Sequence, residues 1–125
     1  MPLLLKLNHL PRVDVDAEQF QKVLTNLLLN AKDAIGPEGH IVLETSTRPG
    51  WVEISVQDDG CGMSPEFINR SLFRPFQSTK KKGIGIGMYH SRIIVEAHRG
   101  KIEVESGQDQ GSTFRVILPM KGENL

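Results

Sequence analysis

The hydrophobic period of this 125-residue chain switches twice from helical to extended, and that order constrains the fold more than any other feature. Phe20, Val23, Leu24, Leu27, Leu28, Ala31 and Ile35 recur at steps of three and four, the single apolar stripe of an amphipathic helix. Asp16 followed by Gln19 forms a capping box at its start, and Gly36-Pro37 stops it. The period then falls to two. HIVLETST and WVEISVQ alternate apolar and polar residues around Arg48-Pro49-Gly50, the pattern of an antiparallel hairpin. A second helix is predicted from about Gly85, with Ile86, Tyr89, Ile93 and Ala97 on its inner face. His98 and Arg99 suit its last turn and Gly100 its end. KIEVES and STFRVILP then make a second hairpin across GQDQG. LLLKLN at the start reads as a strand, and Pro65 opens a short helix after Ser64. Strands and helices segregate without βαβα alternation. The expected class is α+β: two layers, with helices on one face of a mixed, mostly antiparallel sheet.

A hydrophobic content of 38% supports one domain with a core of its own, spanning residues 1–125. Fifteen basic and fifteen acidic residues cancel, so no global field points to nucleic acid or an anionic membrane. An anion site must be built locally. Cys61 is the only cysteine, which excludes an internal disulfide and a cysteine metal site and fits a reducing, cytoplasmic setting. No apolar run approaches the roughly 20 residues of a membrane span. A strand so near the first residue is expected of a piece cut from a longer protein.

Three stretches carry chemistry. Asn26 and Asn30 stack one turn apart on the first helix, inside NLLLNAKDAI. They either bond loop carbonyls or offer amide oxygens to a hard cation such as magnesium, with Asp33 extending the polar strip. VQDDGCGM ends the second strand of the first hairpin. Asp58, Gly60 and Gly62 there make either a tight turn or a site that reads the exocyclic amine of adenine, with Met63 against the base. Gly83, Gly85 and Gly87 lead into the second helix beside Lys80, Lys81 and Lys82. Bare amides at a helix start favour phosphate, yet neither a Walker loop nor a dinucleotide fingerprint is present. Phe73 and Phe76 could hinge that loop or simply pack.

In this order the stretches resemble the GHKL ATPases, and among them the ATP-binding catalytic domain of sensor histidine kinases, which has the Bergerat fold. NLLLNAKDAI is similar to the asparagine box, DDGCGM to the first glycine box, LFRPFQSTK to the phenylalanine box and GIGIGM to the second glycine box. GSTFRVILP matches the closing strand, and the resemblance covers residues 3–119. It implies ATP and Mg2+ as ligands, with Asn30 on the cation and Asp58 on adenine. Gly60 and Gly62 would admit the base, and Thr113 would stand near the adenine carboxylate. Gly85, Ile86, Gly87 and Met88 would present amides to the phosphates, and Ser78, Thr79 and Lys80 would belong to a lid that includes Gly83.

Asn26 stands where topoisomerase and mismatch-repair relatives carry a glutamate base. An amide cannot take a proton from water, so slow hydrolysis and phosphoryl transfer are expected. The resemblance implies a histidine on a separate dimerising helical hairpin as acceptor, with a response regulator downstream. That hairpin is absent from this chain, so the domain alone is expected to bind ATP without phosphorylating itself. His9, His40, His90 and His98 read as structural or surface residues. A serine kinase of the anti-sigma type and a nucleotide-binding interaction module are the alternatives.

Overall fold

The computed structural model describes residues 3–7, 13, 15–62, 84–107 and 110–120, and side chains at 84–87 are outside that description. Within it, five strands form one sheet: β1 (Leu3–Lys6), β2 (Ile41–Arg48), β3 (Trp51–Asp58), β4 (Lys101–Ser106) and β5 (Ser112–Pro119). The spatial order is β1-β2-β3-β5-β4. β1 runs parallel to β2, and the other three pairings are antiparallel. Helix α1 (Ala17–Ala34) is the crossover between the two parallel strands, and α2 (Ile84–Ala97) precedes β4.

The α1 stripe does what its spacing demands. Phe20, Val23, Leu27 and Ala31 are buried, and Asp16 Oδ1 accepts the Gln19 N–H at 3.1 Å. They pack on Ile41, Val52, Val56, Phe114, Val116 and Leu118, the inward residues of the central strands. Burial of each such side chain is worth about 1.5–3 kcal/mol. The first hairpin turns where expected: Arg48 pairs with Trp51, and Gly50 takes φ 82° between them.

The opposite sheet face is charged. Arg48 reaches Glu53 at 2.6 Å and Glu103 at 3.3 Å, and Arg115 meets Glu105 at 2.7 Å. Partial desolvation raises the Glu103 carboxyl, but hydrogen bonds from Lys101 and Arg48 outweigh it and hold the group low. Such partly exposed pairs contribute at most about 1 kcal/mol each.

Helix α2 corrects two expectations. Its inward residues are Met88, Ser91 and Val95, whereas Tyr89 is 37% and Ile93 49% exposed and Ala97 is also exposed. The helix carries apolar residues on several sides, and a serine inside the true stripe disguises it. Its C-terminus also uses Arg99, at φ 65°, as the left-handed residue; the Gly100 N–H returns to the Val95 carbonyl at 3.0 Å. Gly100 is needed for space instead, since a Cβ there would collide with the Ile117 carbonyl. A side chain in the left-handed region costs on the order of 1 kcal/mol. Arg99→Gly should therefore raise unfolding stability by about 0.5–1 kcal/mol, read as a shift in the urea midpoint.

Candidate functional site

Burying a polar side chain costs free energy unless something partners it, so such groups mark structure or function. Among the described residues the buried polar side chains are Asn30, Asp58, Ser91 and Ser112. The topology sets two of them side by side at one end of the sheet. Asp58 is the last residue of β3 and pairs with Ser112, the first of β5. The chain leaving Asp58 turns at once against α1, where the Cys61 N–H bonds the Ala34 carbonyl at 3.2 Å. Ala34 is one helical turn beyond Asn30, so the carboxylate and the amide flank the same corner.

Helix α2 closes that corner. Asn26 Nδ2 donates to Ser91 Oγ at 3.2 Å, and the Asp16 N–H donates to His98 Nε2 at 2.9 Å. Rising numbers on α1 meet falling numbers on α2, so the helices are antiparallel. One turn further along each brings Asn30 level with Gly87 and Met88, at the amide-bearing start of α2. That start carries no acidic residue. His98 is a structural fastener, as expected: Nε2 accepts from Asp16, so Nδ1 carries the proton and donates to the Ile94 carbonyl at 2.7 Å.

Asp58 is 4% exposed, and one of its oxygens accepts the Gly60 N–H at 2.9 Å. The glycines after it serve the protein first. A Cβ at Gly60 would collide with the Ala34 carbonyl, and one at Gly62 (φ 71°) with the Gly107 carbonyl. Asp59, its neighbour, is exposed and braces the loop before β2. Its Oδ1 accepts the His40 N–H at 2.7 Å and its Oδ2 the His40 ring Nδ1 at 3.1 Å. The backbone bond first, and the ring second, hold the Asp59 carboxyl below its usual value.

Thr113 stands near Asp58 without being its strand partner. It shares with Asp58, Ser106, Gly107 and Ser112 the wall of a cavity of about 490 Å³, but its strand partner is Gln57. Successive strand residues face opposite ways, so Ser112 stands directly across from Asp58 and Thr113 points to the other face. Ser112 is the residue that sequence reasoning missed. Its hydroxyl lies 2.8 Å from Ser106 Oγ, whose own bond to the Gly111 carbonyl is 3.0 Å.

The family model described as histidine kinase-, DNA gyrase B-, and HSP90-like ATPase matches residues 15–122. The chain belongs to that family. Sensor histidine kinase ZraS of Escherichia coli (strain K12) is 40% identical over 111 residues, which are 89% of this chain and 24% of that protein. Sensor protein FixL of Bradyrhizobium diazoefficiens is 38% identical over 112 residues, 87% of this chain and 22% of that one. The chain thus spans under a quarter of the length of these curated relatives. Among solved structures, the nucleotide-free catalytic domain of histidine kinase ThkA superposes with TM-score 0.83 at 32% identity, covering 94% of this chain and 78% of that chain. Full-length ShkA in complex with AMPPNP gives TM-score 0.82 at 26% identity, covering 94% of this chain and 25% of that one.

In this ATPase-family domain, Asn30 and Asp58 are both buried, and Asn26 lies one turn from Asn30 and is tied to α2. Asp33 sits one turn past Asn30 and is exposed. Gly85, Ile86 and Gly87 are in the first turns of α2, and the Met88 side chain is core at 1% exposure. Met63, Phe76, Ser78, Thr79, Lys80 and Gly83 lie outside the described residues, as do Phe73, Pro65 and the other two lysines. No helix among the described residues is long and apolar enough to cross a membrane.

Proposed function

We propose that this domain binds Mg-ATP and donates its γ-phosphoryl group to a histidine on a separate dimerising helical hairpin, as the catalytic part of a sensor histidine kinase. The reading is supported by two buried polar side chains, the amide of Asn30 and the carboxylate of Asp58, with the loop after Asp58 bonded to the end of the helix that carries Asn30. The donor set fits the ligand. Asp58 accepts a hydrogen bond from an exocyclic amine, with Ser112 beside it as a hydroxyl donor or acceptor. Asn30 would hold magnesium through its amide oxygen. Among the described residues no three of His, Cys, Asp and Glu form a metal cluster, so a cation here would draw further oxygens from phosphate and water. The first turn of α2 supplies unpaired N–H groups and a positive dipole end for the phosphates.

Bound Mg-ATP supplies an activated phosphoryl group; the chain's part is to orient it and offset developing charge. An imidazole nitrogen is nucleophilic without a base, which suits a site whose Asn26 cannot deprotonate water. Hydrolysis should accordingly be slow. The name of the relative ZraS, a sensor histidine kinase, favours a histidine over a serine acceptor. A response regulator would then be the downstream partner, and a cytoplasmic setting follows from the need for ATP.

Titration calorimetry with Mg-ATP should give a micromolar dissociation constant, and labelled ATP should phosphorylate an added acceptor hairpin but not the domain alone. Absence of heat would overturn nucleotide binding. Heat without label on the hairpin would leave a binding module.

A further inference from the structure

Ser91 is fully buried, 65 residues from its partner Asn26, on the helix that presents amides to the corner where Asn30 and Asp58 meet. Nothing in the motifs assigns it a role. Its neighbours on the inward face, Met88 and Val95, are apolar, and a serine there loses packing that a larger apolar residue would provide. What it gains is a directional contact. α2 packs against α1 and meets the sheet at β4, and its inward Met88 and Val95 belong to the apolar core. Apolar contacts between helices tolerate sliding and rotation. A hydrogen bond to a buried hydroxyl does not, because displacement leaves the Ser91 side chain desolvated without its partner at a cost of about 1–3 kcal/mol. The second seam bond, from the Asp16 N–H to His98 Nε2, is at the far end of α2 and holds only that end.

We propose that Ser91 is a positioning residue for the phosphate half of the site: through Asn26 it fixes the first turn of α2 against the asparagine face of α1, without touching substrate. The proposal deepens the Mg-ATP reading and rests on it. It distinguishes the two halves of the nucleotide. Adenine is read by Asp58 and Ser112 on the sheet, which do not depend on the helix seam, whereas the phosphates depend on α2 and Asn30.

Ser91→Ala, Ser91→Cys and Asn26→Ala/Ser91→Ala are compared with Asn26→Ala and the unaltered domain, using Mg-ATP by calorimetry, adenosine by NMR titration, and thermal unfolding for each. Cysteine keeps nearly the volume of serine but is a poor acceptor, so it tests the hydrogen bond where alanine would loosen packing. Both single Ser91 variants should lose about tenfold in Mg-ATP affinity with adenosine affinity unchanged. The double variant should bind Mg-ATP no more weakly than Asn26→Ala, because one bond is removed in each case. Equal losses for adenosine and ATP, unaltered ATP affinity in a folded Ser91→Cys domain, or fully additive losses would each overturn the role of Ser91 while leaving nucleotide binding standing. Failure of the unaltered domain to bind Mg-ATP would overturn both.

Discussion

Asp58→Asn should weaken Mg-ATP binding about a hundredfold while lowering unfolding stability by only about 1 kcal/mol. The asymmetry follows from what each oxygen does. An asparagine carbonyl can still accept the Gly60 N–H that Asp58 now holds at 2.9 Å, so the turn keeps its bond. The other end becomes an amino group, and a donor facing the adenine amine replaces a charge-assisted bond with repulsion. Removing the buried charge also relieves a desolvation cost, which limits the loss of stability. Calorimetry and a denaturant midpoint on the same preparation separate the effects. A collapsed midpoint with ATP affinity retained would make Asp58 a structural residue.

Gly62→Ala should cost at least about 3 kcal/mol of stability, far more than Gly50→Ala at about 1 kcal/mol. Both glycines have positive φ, 71° and 82°. The difference is space. A Cβ at Gly50 meets nothing within 4 Å, so that variant registers backbone strain alone. At Gly62 the same atom would collide with the Gly107 carbonyl, part of the β4–β5 connection, and backbone must move to admit it. Urea midpoints of the two variants measure the comparison; similar values would mean the turns are not held as tightly as the structure shows. The pair also shows that a glycine box has an architectural reason independent of any base that it admits.

How far the sequence revealed this molecule depended on whether a signal was local. The α1 stripe, its Asp16 cap and the Arg48–Gly50 turn involve neighbours in sequence, and each stands where periodicity placed it. Helix α2 was legible as a helix but not as a face. With apolar residues on several sides, its stripe cannot be chosen without knowing what packs against it, and Ser91 pairs with a residue on another helix. Ser112 was within reach. Phe114, Val116 and Leu118 alternate inward, and counting back two more residues points to Ser112 rather than Thr113. The resemblance drew attention to a motif, while the pleat decides which of its members faces in. Arg99 had no legible signal, since the adjacent Gly100 offered the expected residue for a left-handed helix end. The parallel pairing of Leu3–Lys6 with Ile41–Glu44 is set across the whole of α1, beyond any local pattern.

The central position of β3 reaches beyond the site. One neighbour, β2, lies just before it in the chain, and the other, β5, is supplied by the last hairpin. Each half of the polypeptide therefore holds an incomplete sheet, with its apolar surface open to water until the other half docks. Neither can survive as a separate folding unit, and the domain should lose its structure in a single cooperative step. The same join divides the corner: Asn30 and Asp58 come from the first half, Ser112 and the start of α2 from the second. A ligand held across it would act as a clasp between the halves, so occupancy would raise the melting temperature of the whole domain.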